Sequence, residues 1–225
     1  MSITPSTLTR VGAVALALAG LIFIVIQPLH PREDVASITT TTWVVVHIMS
    51  LSMAVLGLAG ATALYLTQVK RMGWLGLLGY VLFALFFVTQ AAVSFAEAFI
   101  LPLTAAGSPG VSEDVASLFA TGYVLQTDVG PLAIVSVLGS VLYLGGGVLF
   151  GVAVIRARVL PLWTGILLIA AAVASLSAVV IPHELARSAA VPMGVALVAL
   201  GGALWLQQRT RSTFGVEPRL EPVIA

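Results

Sequence analysis

Six apolar runs, each about long enough to cross a bilayer, occupy most of the chain and make lipid its natural solvent. They fall near residues 11–28, 42–67, 73–100, 129–155, 160–181 and 189–207. A span needs about 20 largely apolar residues, because a helix rises about 1.5 Å per residue through a hydrocarbon core about 30 Å thick. Only 8% of the 225 residues are charged, against about 25% in a soluble domain. The predicted fold is therefore an all-α integral membrane protein, a six-transmembrane-helix bundle over residues 1–208. A polar, flexible cytoplasmic tail follows at 209–225. The first run follows Arg10 and resembles a signal peptide in composition. It is of spanning length and no small-residue cleavage site follows it, so it reads as a retained helix.

Charge placement orients the bundle. With six spans, Arg10, Lys70, Arg71, Arg156, Arg158, Arg209, Arg211 and Arg219 share one side, and only Arg32 and Arg187 lie on the other. The positive-inside rule then puts both termini in the cytoplasm. Trp74, Trp163 and Trp205 fall at the inner interface and Trp43 at the outer one, as an aromatic belt would have them. The net charge of +1 suggests no nucleic-acid partner, and the absence of cysteine excludes disulfides, thiolate metal sites and iron–sulfur clusters.

The same orientation gathers His30, His47, His183 and every acid except Glu217 and Glu221 at the outer half. Glu33, Asp34, Glu113 and Asp114 read as solvated loop residues. The segment "SEDVAS" (112–117), in the longer outer loop between the third and fourth spans, opens a short helix with acids in its first turn. Glu97 is different. It lies roughly 35 Å along the third helix from Trp74, at about 1.5 Å per residue, near or just below the outer interface. Gln90, Ser94 and Glu97 are spaced i, i+4, i+7 and share one face. Lipid would penalise all three, so that face should look into the bundle. On the second helix, Trp43, His47 and Ser50 repeat the spacing at similar depth. Asp128 precedes Gly130 and Pro131 at the start of the fourth helix, where it serves either as an N-cap or as a site residue.

These positions suggest catalysis by proton transfer, with Glu97, Asp128 and His47 as the candidate catalytic residues. A carboxyl group in apolar surroundings favours its neutral, proton-bearing form and could donate that proton. Phe83 and Phe87 continue the Glu97 face downward, and Trp43 and Tyr123 approach from the outer side. Aromatic faces stabilise cations by about 0.5–2 kcal/mol each. Trp43, Ser50, Phe83, Phe87, Gln90, Ser94 and Tyr123 are thus the expected substrate contacts, lining an apolar cleft with an acid at its mouth.

In size, helix layout and the acids Glu97 and Asp128, the chain resembles the compact membrane-integral terpene cyclases of meroterpenoid and indole-terpenoid pathways, although the fungal members have seven spans. That resemblance implies an isoprenoid substrate, proton-initiated cyclisation, and no metal or other cofactor. The segments "LHP" (Leu29–Pro31), Trp43 to His47 and Glu97 to Pro102 also resemble those of bacterial six-helix membrane proteins. Three other readings stay open. The three histidines with Glu97, Asp128 or Glu184 could supply N/O ligands to zinc, as in membrane ceramidases and adiponectin-type receptors. His47 and His183 could hold haem or support quinone binding. Gly-rich packing such as "LGGGVLFG" (Leu144–Gly151) equally suits a transporter or a non-catalytic scaffold or accessory subunit; the lipid bilayer is a partner in every reading.

Overall fold

The computed structural model describes residues 4–121, 127–179 and 187–213. These residues are mostly helical, with no strand among them. Helix α1 spans Pro5–Leu29, with Thr4 as its N-cap and His30 as its C-cap before Pro31. A short α2, Val35–Ile38, is capped by Asp34, whose carboxylate accepts from the Ser37 N–H at 2.7 Å. Helix α3, Thr41–Phe95, runs into a π-helical turn, Ala96–Ile100, and a short α4, Leu101–Ala105. Helix α5 spans Pro109–Thr121, α6 spans Ala133–Ala157, α7 spans Leu162–Ala174 and α8 spans Val191–Thr213.

Four helical segments are long and apolar enough to cross a membrane: Pro5–Leu29, Thr41–Ala105, Gly130–Ala157 and Arg187–Thr210; Leu162–Ser177 is a shorter apolar one. The second covers 65 residues, on the order of 100 Å if straight and so about three times the bilayer core. It is not straight. Gly73 has φ 59° and ψ −162°, a region essentially reserved for glycine, and the chain doubles back there. The arms 41–72 and 74–95 run antiparallel, as paired contacts on either side of Gly73 show. Thr62 and Tyr80 share a hydroxyl hydrogen bond of 3.0 Å, the Tyr65 and Tyr80 rings stack at 4.5 Å, and the Phe87 ring fills the notch left by Gly57.

The rods close into a ring. The first arm of α3 packs on α1, α1 on α8, α8 on α7, α7 on α6, and α6 on the second arm of α3. Small residues let the helices approach closely. A Cβ added at Gly60 would lie 2.5 to 2.7 Å from Leu16, at Gly79 2.5 Å from the Phe150 nitrogen, and at Gly201 2.6 Å from the Ala13 carbonyl. Phe83, Phe87, Phe150, Met53, Leu168 and Leu197 fill the middle. The order of rods brings Arg10, Lys70, Arg71, Arg156, Arg158 and Arg209 to one end, with Trp74 there 86% exposed. The opposite end carries a cap made by α2, α4 and α5, whose Ile38, Leu101, Ala105 and Ala116 close over Trp43.

Some details depart from expectation. Helix α5 starts at Pro109, so Glu113 and Asp114 fall beyond its first turn. Asp114 is not a solvated loop acid: it is 3% exposed and accepts from the Thr127 N–H at 2.7 Å. Glu33 forms an ion pair with Arg187. Helix α8 continues past Arg209 to Thr213. Trp43 is wholly buried, unlike a belt residue.

Candidate functional site

The site begins with a defect in a helix. At Ala96–Ile100 the ladder widens to the π pattern, and the Leu101 N–H bonds to the carbonyl of Ala96, five residues back. Continuing that pattern would pair residue 102 with Glu97, but residue 102 is proline and has no N–H. The Glu97 carbonyl thus lacks the donor that position 102 would supply. The indole N–H of Trp43 supplies one, donating to it at 2.7 Å from the other arm of the hairpin.

Trp43 holds the second member of the site as well. His47 Nδ1 lies 2.7 Å from the Trp43 backbone carbonyl. A carbonyl oxygen only accepts, so Nδ1 carries a proton. The imidazole lies tilted at 37° against the indole, centroids 4.2 Å apart. Its other nitrogen, Nε2, faces Glu97 Oε2 at 3.4 Å, slightly beyond hydrogen-bond length. His47 is 1% exposed and Glu97 7%, and Nε2 has no other partner.

With Nδ1 protonated, a neutral His47 presents a lone pair at Nε2. A carboxylate also presents lone pairs, and two acceptors facing each other in a buried site repel. One proton between them removes the conflict, on Nε2 as imidazolium–carboxylate or on Glu97 as carboxylic acid donating to Nε2. Either arrangement would let the two side chains satisfy each other.

His30 joins the group. Its ring meets that of His47 edge-on at 4.9 Å and lies 6.1 Å from that of Trp43. Its Nδ1 donates to the Pro31 carbonyl at 2.9 Å. Burial, reinforced by the neighbouring Arg187 charge, lowers its pKa to about 3, so His30 is neutral at ordinary pH. In the sequence His30 enters only as one of three histidines that could serve zinc, not as a neighbour of the His47–Glu97 pair. His47 and Glu97, expected at similar depth, lie side by side.

The other expected residues are distributed differently. Ser94 is buried and accepts from the Gln90 side-chain amide at 3.1 Å, so the polar stripe below Glu97 is partly satisfied within itself. Ser50 donates back to the Val46 carbonyl on its own helix. Phe83 and Phe87 are fully buried against Gly146 and Gly57; they fill the core and do not line open space. Trp43 also has no free surface for a substrate; it positions the pair. Asp128 is exposed and its carboxylate accepts from the Gly130 N–H at 2.9 Å, a local turn cap set apart from the buried pair. Gly130 itself has φ 54°, consistent with the expected backbone break. Tyr123, His183 and Glu184 lie outside the described residues. Among the described residues no group of three His, Asp or Glu side chains could hold a metal ion.

No protein-family model, curated protein or solved structure matches the chain.

Proposed function

We propose that the chain is a six-crossing membrane protein with both ends in the cytoplasm. On this reading the His47–Glu97 pair is an intramembrane acid–base catalyst for a lipophilic, isoprenoid-type substrate. The crossings are α1, the two arms of α3, α6, α7 and α8. The fold-back at Gly73 and the arginines gathered at one end support this topology. One observation carries the catalytic reading: buried His47 Nε2 and Glu97 Oε2 face each other at 3.4 Å, and Trp43 holds both residues.

The reaction that suits such a pair is proton-initiated cyclisation. Glu97 gives the shared proton to an alkene carbon or epoxide oxygen, and π electrons of the chain close the ring onto the cationic carbon. The cation then loses a proton from a neighbouring carbon, forming a new double bond, and the deprotonated pair takes up that proton. The pair regains its starting state with no cofactor and without Asp128. The test is incubation of the purified protein in D₂O with polyprenyl alkenes and epoxides, followed by mass spectrometry. A cyclised isomer, carrying one carbon-bound deuterium from an alkene and none beyond the exchangeable hydroxyl from an epoxide, and absent with Glu97→Gln, supports the proposal. Lack of any product, or equal product with Glu97→Gln, contradicts it.

The tight packing of Phe83 and Phe87 on Gly146 and Gly57 favours a second, non-catalytic reading, in which the pair's proton controls how the α3 arms are held together. It calls for no turnover on any lipid, with the pH dependence of stability altered by Glu97→Gln.

A further inference from the structure

The far end of the bundle carries a feature that the acid–base site does not use. At the turn between α6 and α7, Ile155, Arg156, Arg158, Leu160, Pro161 and Leu162 line an open groove of about 860 Å³, a volume within the range of small-ligand sites. Arg156 and Arg158 are both exposed, and neither has an acidic partner among the described residues. The wall is apolar, and Leu162 and Trp163 beside it are about half exposed.

The backbone here is unusual. Arg158 is the C-cap of α6 and the only non-glycine among the described residues with positive φ, at 51°. Glycine or asparagine is the ordinary choice in that conformation, because a Cβ crowds the following carbonyl. One basic residue at a helix C-terminus is explained by the helix dipole, and Arg156 fills that role. A second arginine, placed where glycine would be less strained, is not explained by it. The turn is also held firmly. The Gln207 side chain donates to the Val159 carbonyl at 2.9 Å, and the Thr164 N–H and hydroxyl both donate to the Pro161 carbonyl. The two guanidinium groups thus flank a pinned turn, Arg156 on the last turn of α6 and Arg158 at its C-cap, beside apolar surface at one end of the bundle.

We infer that this groove binds the headgroup phosphate of an anionic glycerophospholipid, with Arg156 and Arg158 as the phosphate ligands. The first acyl methylenes lie along Ile155 and Leu162. Guanidinium groups suit this task, since they present several donors to phosphate oxygens and keep their charge at any physiological pH. The inference does not depend on the chemistry of the His47–Glu97 pair.

Native mass spectrometry of the full chain, released from nanodiscs of equal phosphatidylglycerol and phosphatidylcholine, tests it. The wild type should retain phosphatidylglycerol over phosphatidylcholine by at least about tenfold, and Arg156→Gln/Arg158→Gln should bring the ratio to about one. Arg158→Gly, which suits the backbone, should keep the fold and still lose most of the preference. Lys70→Gln/Arg71→Gln removes the same charge from the other turn at this end and should leave the ratio unchanged. Equal loss in that control, or no preference in the wild type, overturns the inference. So does complete displacement of the lipid by millimolar inorganic phosphate, which would make the site one for the free anion.

Discussion

Replacing Trp43 with phenylalanine separates the two things that Trp43 does. Phenylalanine keeps an aromatic ring against His47 but removes the N–H that serves the Glu97 carbonyl. A buried carbonyl left without its donor costs about 1–3 kcal/mol. The smaller ring leaves a void that adds about 1 kcal/mol, so the expected loss is about 2–4 kcal/mol. At about 2–4 °C per kcal/mol for a chain of this size, the melting temperature in detergent should fall by roughly 4–16 °C. Pro102→Ala supplies the decisive comparison. It restores a backbone N–H five residues after Glu97, where the π-turn can use it. In the Pro102→Ala background, Trp43→Phe should therefore cost less by about 1 kcal/mol or more, a coupling measurable in a double-mutant cycle. Purely additive effects would refute the claim that Trp43 substitutes for the missing proline donor.

Two further outcomes are expected. Gly73→Ala meets no neighbouring atom but must adopt φ 59°, so it should destabilise the hairpin by about 1–3 kcal/mol from backbone strain alone; a melting temperature equal to that of the wild type would contradict the fold-back. His30 titrates in the unfolded chain near pH 6.5 but only at about 3 when folded. Between those values the unfolded chain binds the extra proton, so stability should fall as pH drops from 7 towards 5. His30→Gln should flatten the slope of a melting-temperature titration, and an unchanged slope would show that His30 is not the group responsible.

Much of this architecture is legible in the chain, and the illegible parts have identifiable causes. Apolar runs of spanning length broken by Lys70-Arg71 and by Arg156/Arg158 mark where rods begin and end, because lipid leaves a helix few alternatives. The depth of His47 and Glu97 follows from counting residues, since rise per residue is constant. Which faces meet is set by tertiary packing over Gly57, Gly60 and Gly146, which a single helical period does not encode. That is why Phe83 and Phe87 suit a cleft wall in the sequence and are core in the fold. The π-turn has no periodic signature; its one trace is Pro102, five residues after Glu97. Trp43 was assigned to the interface from its amphipathic ring, although an indole N–H serves equally well as a buried donor. Asp114 was assigned to solvent because the docking of α5 onto the cap cannot be read from residues 109–121 alone. Asp128 left two roles open, and its turn with Gly130 is local in the structure.

The shared proton is tested most directly by ¹⁵N NMR of histidine-labelled protein in nanodiscs, with His47 assigned by comparison with His47→Gln. Nδ1 of His47 should remain protonated across the neutral range, while its Nε2 resonance should move clearly on Glu97→Gln. A bare Nδ1, or an Nε2 signal indifferent to Glu97→Gln, would show that the two side chains do not hold a proton between them.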